Sequence, residues 1–160
     1  MRFSLIDRIV DLEPGKAITA HKNLSLAEEY LADHFPNAPV MPGVMMLETL
    51  IQAGAWLVRV TDDFAHSLVV LEDARGIKYA NFVEPGQTLK IEASIVSREG
   101  ASTKLKAQGT VDDKVAVSGR LVLHSSNLVD SDPQLAARDE YMKQSLRQLY
   151  AILRQPSERT

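Results

Sequence analysis

Residues 43–60, GVMMLETLIQAGAWLVRV, are apolar on every side of any helix they could form. In helical form the stretch is nearly long enough to cross a bilayer. Glu48 and Gln52 sit near its middle and Arg59 near its end, and such groups are expensive in lipid. The expectation is therefore a buried helix of a globular core and no membrane span. Such a helix needs an apolar wall on several sides, and the rest of the chain must supply it. Residues 67–71, 77–82, 89–97, 103–111 and 115–124 read as strands: rich in β-branched side chains, partly alternating, and separated by turn signals. An earlier strand is expected at 17–23. Glu84-Pro85-Gly86-Gln87 places Pro and Gly in the central positions of a turn. The short links at 98–102 and 111–114 imply antiparallel pairing. The predicted class is α+β: an antiparallel sheet wrapped around a long central helix.

With 160 residues, 45% hydrophobic and 24% charged, the chain can fill one such core. Its net charge of -3 and the absence of a dense Lys/Arg block argue against nucleic-acid binding. There are no cysteines, which excludes disulfides, thiolate metal sites and Cys nucleophiles and points to a reducing, cytoplasmic setting. Residues 1–10 carry Arg2, Asp7 and Arg8 and lack the apolar core of a signal peptide. The expected division is a domain over 1–126 and a linker with a helical extension over 127–160. In that extension, Leu135, Met142, Leu146, Leu149, Tyr150 and Leu153 recur at helical spacing over 134–154. This amphipathic helix is expected to dock on its own domain or on another chain, with 156–160 frayed.

Residues 25–33 read as a short helix opened by a Ser25–Glu28 capping box. Prolines then fall at 36, 39 and 42, each steering its predecessor out of the helical region. A stiff, extended loop follows, and Pro42 suits the first turn of the central helix. His34 opens that loop. Glu48 lies inside the apolar helix, where an ionised, unpaired carboxylate costs several kcal/mol, so it is a candidate for chemistry. Gln52, one turn on, is placed to orient it. Gly43 offers an unpaired backbone N–H at the helix start and no side chain to obstruct a ligand carbonyl. The residue types alone leave a plainer reading open, in which His34 is a surface group and Pro42-Gly43 only a helix-start turn.

The run from His34 to Ala53, HFPNAPVMPGVMMLETLIQA, resembles the signature of the bacterial 3-hydroxyacyl-acyl-carrier-protein dehydratases of fatty-acid synthesis. The similarity extends to 7–15 and, more loosely, to 72–119. The resemblance implies a hot-dog fold, with the C-terminal helix as an addition. It implies a homodimer in which the histidine of one subunit faces the carboxylate of the other, and leaves open whether dimers assemble further into a trimer of dimers. It assigns His34 to C2 proton abstraction and Glu48 to protonation of the departing hydroxyl. Gly43 would bind the thioester oxygen and Gln52 would hold Glu48, with Phe35 and Val44 beside the substrate. No metal and no cofactor is implied, and the partner is an acyl carrier protein bearing the 3-hydroxyacyl chain. Glutamate at 48 favours plain dehydration; the branch that also isomerises usually has aspartate. The chain departs from the pattern at Asp33, at Asn37-Ala38, and at Tyr79-Ala80-Asn81-Phe82, where a basic pair is usual. Lys78, Arg75 or residues elsewhere could replace that pair, Arg138, Lys143, Arg147 and Arg154 of the C-terminal helix among them.

Two other functions fit the same fold. A thioesterase would use Glu48 to direct water but leaves His34 without a task. A non-catalytic acyl-binding subunit would keep the dimer and the tunnel, yet both catalytic positions are intact. The dehydratase reading accounts for both residues.

Overall fold

The computed structural model describes residues 4–154. Six strands form one antiparallel sheet: β1 (Arg8–Glu13), β2 (Ala17–Asn23), β3 (Leu68–Tyr79), β4 (Thr88–Glu99), β5 (Ser102–Val111) and β6 (Lys114–Ser126). Their order across the sheet is β1-β2-β4-β5-β6-β3, so the strand that follows the central helix lies at an edge. The central helix is α1 (Gly43–Thr61), and α2 (Ala136–Arg154) closes the described chain. α1 rests on one face of the sheet and touches β2 to β6. Leu50, Ala53, Leu57 and Val58 are wholly buried in one cluster with Leu89, Ile91 and Leu123. Each buried leucine is worth about 1.5–3 kcal/mol, which explains why the all-round apolar stretch lies here. At Gly54 an added Cβ would stand 3.2 Å from a Leu123 methyl, so the helix approaches the sheet closely. This is the hot-dog arrangement: α1 is a core helix, although its length and composition alone would suit a membrane.

Three local expectations change. The strands expected at 67–71 and 77–82 are one strand, β3, paired with β6 along its length. Register shifts between Leu71 and Asp73 and between Arg75 and Lys78 interrupt the alternation without ending the pairing. β1 is a strand the sequence reading did not place. Only Ile9 and Leu12 on it are buried, and a register shift between Ile9 and Asp11 breaks the two-residue period. The helix expected at 25–33 is reduced to a 3₁₀ turn, Glu29–Leu31. Its capping box does not form because the Glu28 carboxylate pairs with the buried Lys22 ammonium at 2.6 Å. Ser25 instead accepts from the Ala27 N–H at 3.1 Å.

α2 docks on its own chain. Leu153 is buried, and Tyr150 packs against Trp56 and Phe64, with ring centroids 6.1 and 5.8 Å away. Arg147 lies 4.8 Å over the Phe64 ring and bonds Asp63 Oδ1 at 3.1 Å. At the other end, the buried Asp139 accepts the Leu128 and Val129 N–H groups at 2.8 and 2.9 Å and the Ser67 hydroxyl. Desolvation works to raise the Asp139 pKa. The bonds from Ser67, Val129 and Leu128, with Lys143 nearby, outweigh it and hold the carboxyl below its ordinary range. The segment before α2 is ordered too, with 3₁₀ turns at Leu128–Asp130 and Pro133–Leu135. Residues 156–160 lie outside the described residues.

Candidate active site

The proline loop is not uniformly extended. Phe35 takes a left-handed conformation, φ +53°, and the Ala38 N–H donates to its carbonyl at 2.8 Å, closing a tight turn. For a residue with a side chain such a conformation costs about 1–3 kcal/mol and persists only where its surroundings enforce it. The Met41 N–H anchors the far end of the loop to the Val83 carbonyl at 2.8 Å, with the Met41 side chain buried. His34 spans the loop: its Nδ1 lies 3.2 Å from the Val40 carbonyl. A carbonyl only accepts, so Nδ1 carries the proton in this bond, and Nε2 of the neutral ring keeps a free lone pair. The Phe35 ring meets the imidazole edge-on at 4.5 Å.

Glu48 is half-buried on α1. Gln52 Nε2 donates to its Oε1 at 3.0 Å, and Gln52 Oε1 accepts the Leu5 N–H at 2.9 Å. That second bond fixes the amide orientation, because only the oxygen can accept from a backbone N–H. The amide NH₂ is thereby turned to the carboxylate. At the start of α1, Met45 and Met46 both donate to the Pro42 carbonyl, which leaves the Gly43 and Val44 N–H groups as orphan donors of the first turn. The Tyr79 ring covers Gly43 so closely that a Cβ there would lie 3.2 Å from it. Sequence reasoning noted Tyr79 only as a departure from the family pattern; its contact with Gly43 could not be read from spacing. Phe35, Val44 and Phe82 are 62%, 71% and 72% exposed, so the single chain leaves its apolar groups near this end uncovered.

A cavity of about 430 Å³ runs between α1, the beginning of β3 and α2. Glu48, Gln52, Trp56 and Arg59 line it from α1, at spacings of four, four and three residues that put them on one stripe. His34 is not in its wall, so one chain does not bring the histidine and the carboxylate into a common cavity. A larger open cleft, about 690 Å³, crosses the outer face of the sheet. Arg75, Lys78, Lys106 and Arg120 line it, but neither His34 nor Glu48 does, so the candidate chemistry lies elsewhere. Among the described residues no group of three or more His, Asp or Glu is placed to hold a metal ion. What the arrangement offers is a histidine with a free ring nitrogen, an oriented carboxyl group, and free N–H donors at a helix start.

The family model for FabA-like domains matches residues 1–120. The 3-hydroxyacyl-[acyl-carrier-protein] dehydratase FabZ of Ruminiclostridium cellulolyticum is 40% identical over 119 residues, covering 74% of this chain and 84% of that protein. The protein of the same name from Myxococcus xanthus is 37% identical over 136 residues, covering 84% and 87%. Among solved structures, the dehydratase heterocomplex ApeI:P of Xenorhabdus doucetiae aligns with a TM-score of 0.66 at 16% identity, covering 83% of this chain and 90% of that one. The PaaI protein of the phenylacetic acid degradation operon of E. coli aligns with a TM-score of 0.57 at 12% identity, covering 73% and 81%. At such identities the structural likeness speaks for the fold alone.

Proposed function

This chain belongs to the FabA-like family, and from that premise we propose that it dehydrates (3R)-3-hydroxyacyl thioesters, carried on an acyl carrier protein, to trans-2-enoyl thioesters in fatty-acid synthesis. The observation that carries the reading is the pair of oriented groups: His34 with Nε2 free, and Glu48 held by Gln52 in the wall of a cavity. His34 Nε2 takes the C2 proton. The C2 electrons form the C2–C3 double bond as the C3–O bond breaks, and the protonated Glu48 gives its proton to the departing oxygen, which leaves as water. The Gly43 N–H bonds the thioester oxygen while C2 carries negative charge. A proton passed from the imidazolium to the carboxylate restores both groups. The elimination is redox-neutral, so the reading calls for no cofactor.

His34 of one subunit and Glu48 of the partner subunit would share each site. Two features favour a homodimer: β3 is an edge strand paired only with β6, and Val44, Leu47 and Ile51 on α1 are not fully covered by the chain's own sheet. An edge strand presents a row of unpaired backbone groups, and a second β3 would satisfy them. A trimer of dimers is the larger assembly to test. Arg75 and Lys78 are cations available to an acidic carrier. The reducing setting implied by the lack of cysteine fits the cytoplasm.

Hydrolysis of the thioester is not favoured, because it gives His34 no role and the relatives are dehydratases by name. The test follows 3-hydroxybutyryl and 3-hydroxydecanoyl thioesters, on carrier and on coenzyme A, for enoyl absorbance and for free thiol. Enoyl formation without thiol release is expected. Thiol release without enoyl would make the protein a thioesterase, and neither signal, with acyl binding retained, would make it a binding subunit.

A further inference from the structure

The cavity that begins at Glu48 ends on a guanidinium. Arg59 follows Glu48 by eleven residues on the same stripe, about 16 Å along the α1 axis. Between them lie Gln52 and Trp56. On the outer side α2 supplies Met142, Leu146 and Leu149 beside Tyr141 and Ser145, so the wall between is more apolar than polar. The Arg59 guanidinium sits 5.5 Å over the Trp56 ring. Its buried Nε has no hydrogen-bond partner among the described residues. Burial pushes its pKa down to about 10, which still leaves it charged at neutral pH. The acids nearest in sequence are already matched. Asp62 receives two bonds of 2.8 Å from Arg98, and Asp63 receives Arg147. A desolvated cation without a counter-charge is costly, and among the described residues no carboxylate pairs with Arg59. An anion carried by a ligand would supply that counter-charge, and the cavity wall leads to Arg59 from the candidate acid.

We infer that the site takes 3-hydroxyacyl chains that end in a carboxylate, with the terminal carboxylate on Arg59 and the methylene chain between α1 and α2. The inference rests on the reading of Glu48 as the catalytic acid and adds the class of chain that acid serves. A carboxylate suits the position because a guanidinium presents a planar fork of donors to two oxygens, and it replaces the absent counter-charge.

The experiment compares 3-hydroxyacyl thioesters of matched length ending in methyl or in carboxylate, over a graded length series. Wild-type kcat/KM should favour the carboxylate at the length that spans Glu48 to Arg59 and should not favour it in shorter chains. Arg59→Met should lower the carboxylate-to-methyl ratio at that length by at least about tenfold, the low end for a hydrogen bond to a charged group, with the change mainly in KM. Arg59→Lys should restore part of the ratio, and circular dichroism of both variants controls for folding. Calorimetry with unreactive thioether analogues of the same chains reads the preference independently of turnover. A wild type that dehydrates methyl-ended chains but neither prefers nor binds the carboxylate more tightly would overturn the inference and leave the dehydratase standing. So would a preference untouched by Arg59→Met. No enoyl from any chain, with carboxylate binding still lost in Arg59→Met, would overturn the dehydratase and leave the anion site.

Discussion

The two ends of α1 are finished differently. At the Gly43 end the first-turn N–H groups are free, the neighbouring loop holds a left-handed Phe35, and Phe35, Val44 and Phe82 stay exposed. At the Arg59 end the chain completes itself. α2 covers Trp56 and Phe64, and two arginines meet the aspartates that follow the helix. The family match ends at residue 120, before α2 begins. On the proposed reading, the chemistry sits where the single chain leaves helix-start donors and apolar side chains uncovered. The segment beyond the family-model match sits where the chain is closed. One rigid helix carries both, so changes at one end should alter turnover and changes at the other should alter stability and chain preference.

The comparison breaks most sharply at the loop. His34→Ala should lower kcat by the ~10²–10⁴ typical of a positioned base, while melting stays near wild type because the side chain is not core packing. Glu48→Gln should do the same. Mixing the two inactive variants should restore activity as subunits exchange, since some heterodimers then hold one intact site. Exchange demonstrated with tagged subunits, but without recovered activity, would show that the pair does not act across the interface.

At the closed end the expected effects are on stability. Leu153→Ala should cost about 2–5 kcal/mol in denaturant unfolding, as for a buried leucine elsewhere. Truncation after Ser126 removes the outer wall of the cavity. It should lower Tm and raise KM for long acyl chains more than for short ones. An equal rise for both would make α2 a stabilising element only, and no change in either would show that its contacts with Trp56 and Phe64 do not hold in solution.

Gly43→Ala tests why the helix starts without a side chain. The new Cβ would press on the Tyr79 ring at 3.2 Å, so a modest loss of activity is expected, smaller than that of His34→Ala. Adding Tyr79→Ala makes room. Recovery in the double variant would mean the glycine serves the ring, and continued loss would mean it serves the substrate.

Much of this was legible in the sequence, for identifiable reasons. α1 was bounded to within a residue because an apolar stretch that starts after Pro42 and must be buried has one place to go. β2, β4, β5 and β6 were visible through their alternation and tight turns. β1 was not, because Arg8, Asp11 and Glu13 surround its two buried residues and its bulge breaks the period. The capping box failed because Lys22, distant from Glu28 in pattern though six residues away, claims that carboxylate in three dimensions. At the candidate site, the spacing of Glu48 and Gln52 was enough to anticipate their hydrogen bond. The Gly43–Tyr79 contact and the cavity reaching Arg59 depend on how β3 and α2 pack on α1, which no local pattern encodes. Arg59 did carry a signal, its place on the stripe of Glu48, Gln52 and Trp56, but only the fold shows that α2 turns that stripe into a cavity wall.

The smallest effect should come from Asp139, whose folded-state pKa lies below its ordinary value because its hydrogen bonds to Ser67, Val129 and Leu128 outweigh desolvation. A group whose folded pKa is depressed stabilises the fold fully above its unfolded value, about 3.9 for an aspartate. That contribution is lost as pH falls through the lower folded value. At neutral pH, Asp139→Asn should therefore melt below wild type, because an amide oxygen cannot replace both carboxylate oxygens as acceptors. The gap should narrow as pH falls below about 4, where the wild-type carboxyl also protonates. Trp56 is the only tryptophan and lies against Tyr150 of α2, so its fluorescence reports undocking of the helix directly. In wild type that signal should change in the same acidic window, and in Asp139→Asn it should depend less on pH. A gap in Tm that stays constant from neutral pH into acid would show that the Asp139 charge does not hold α2 in place.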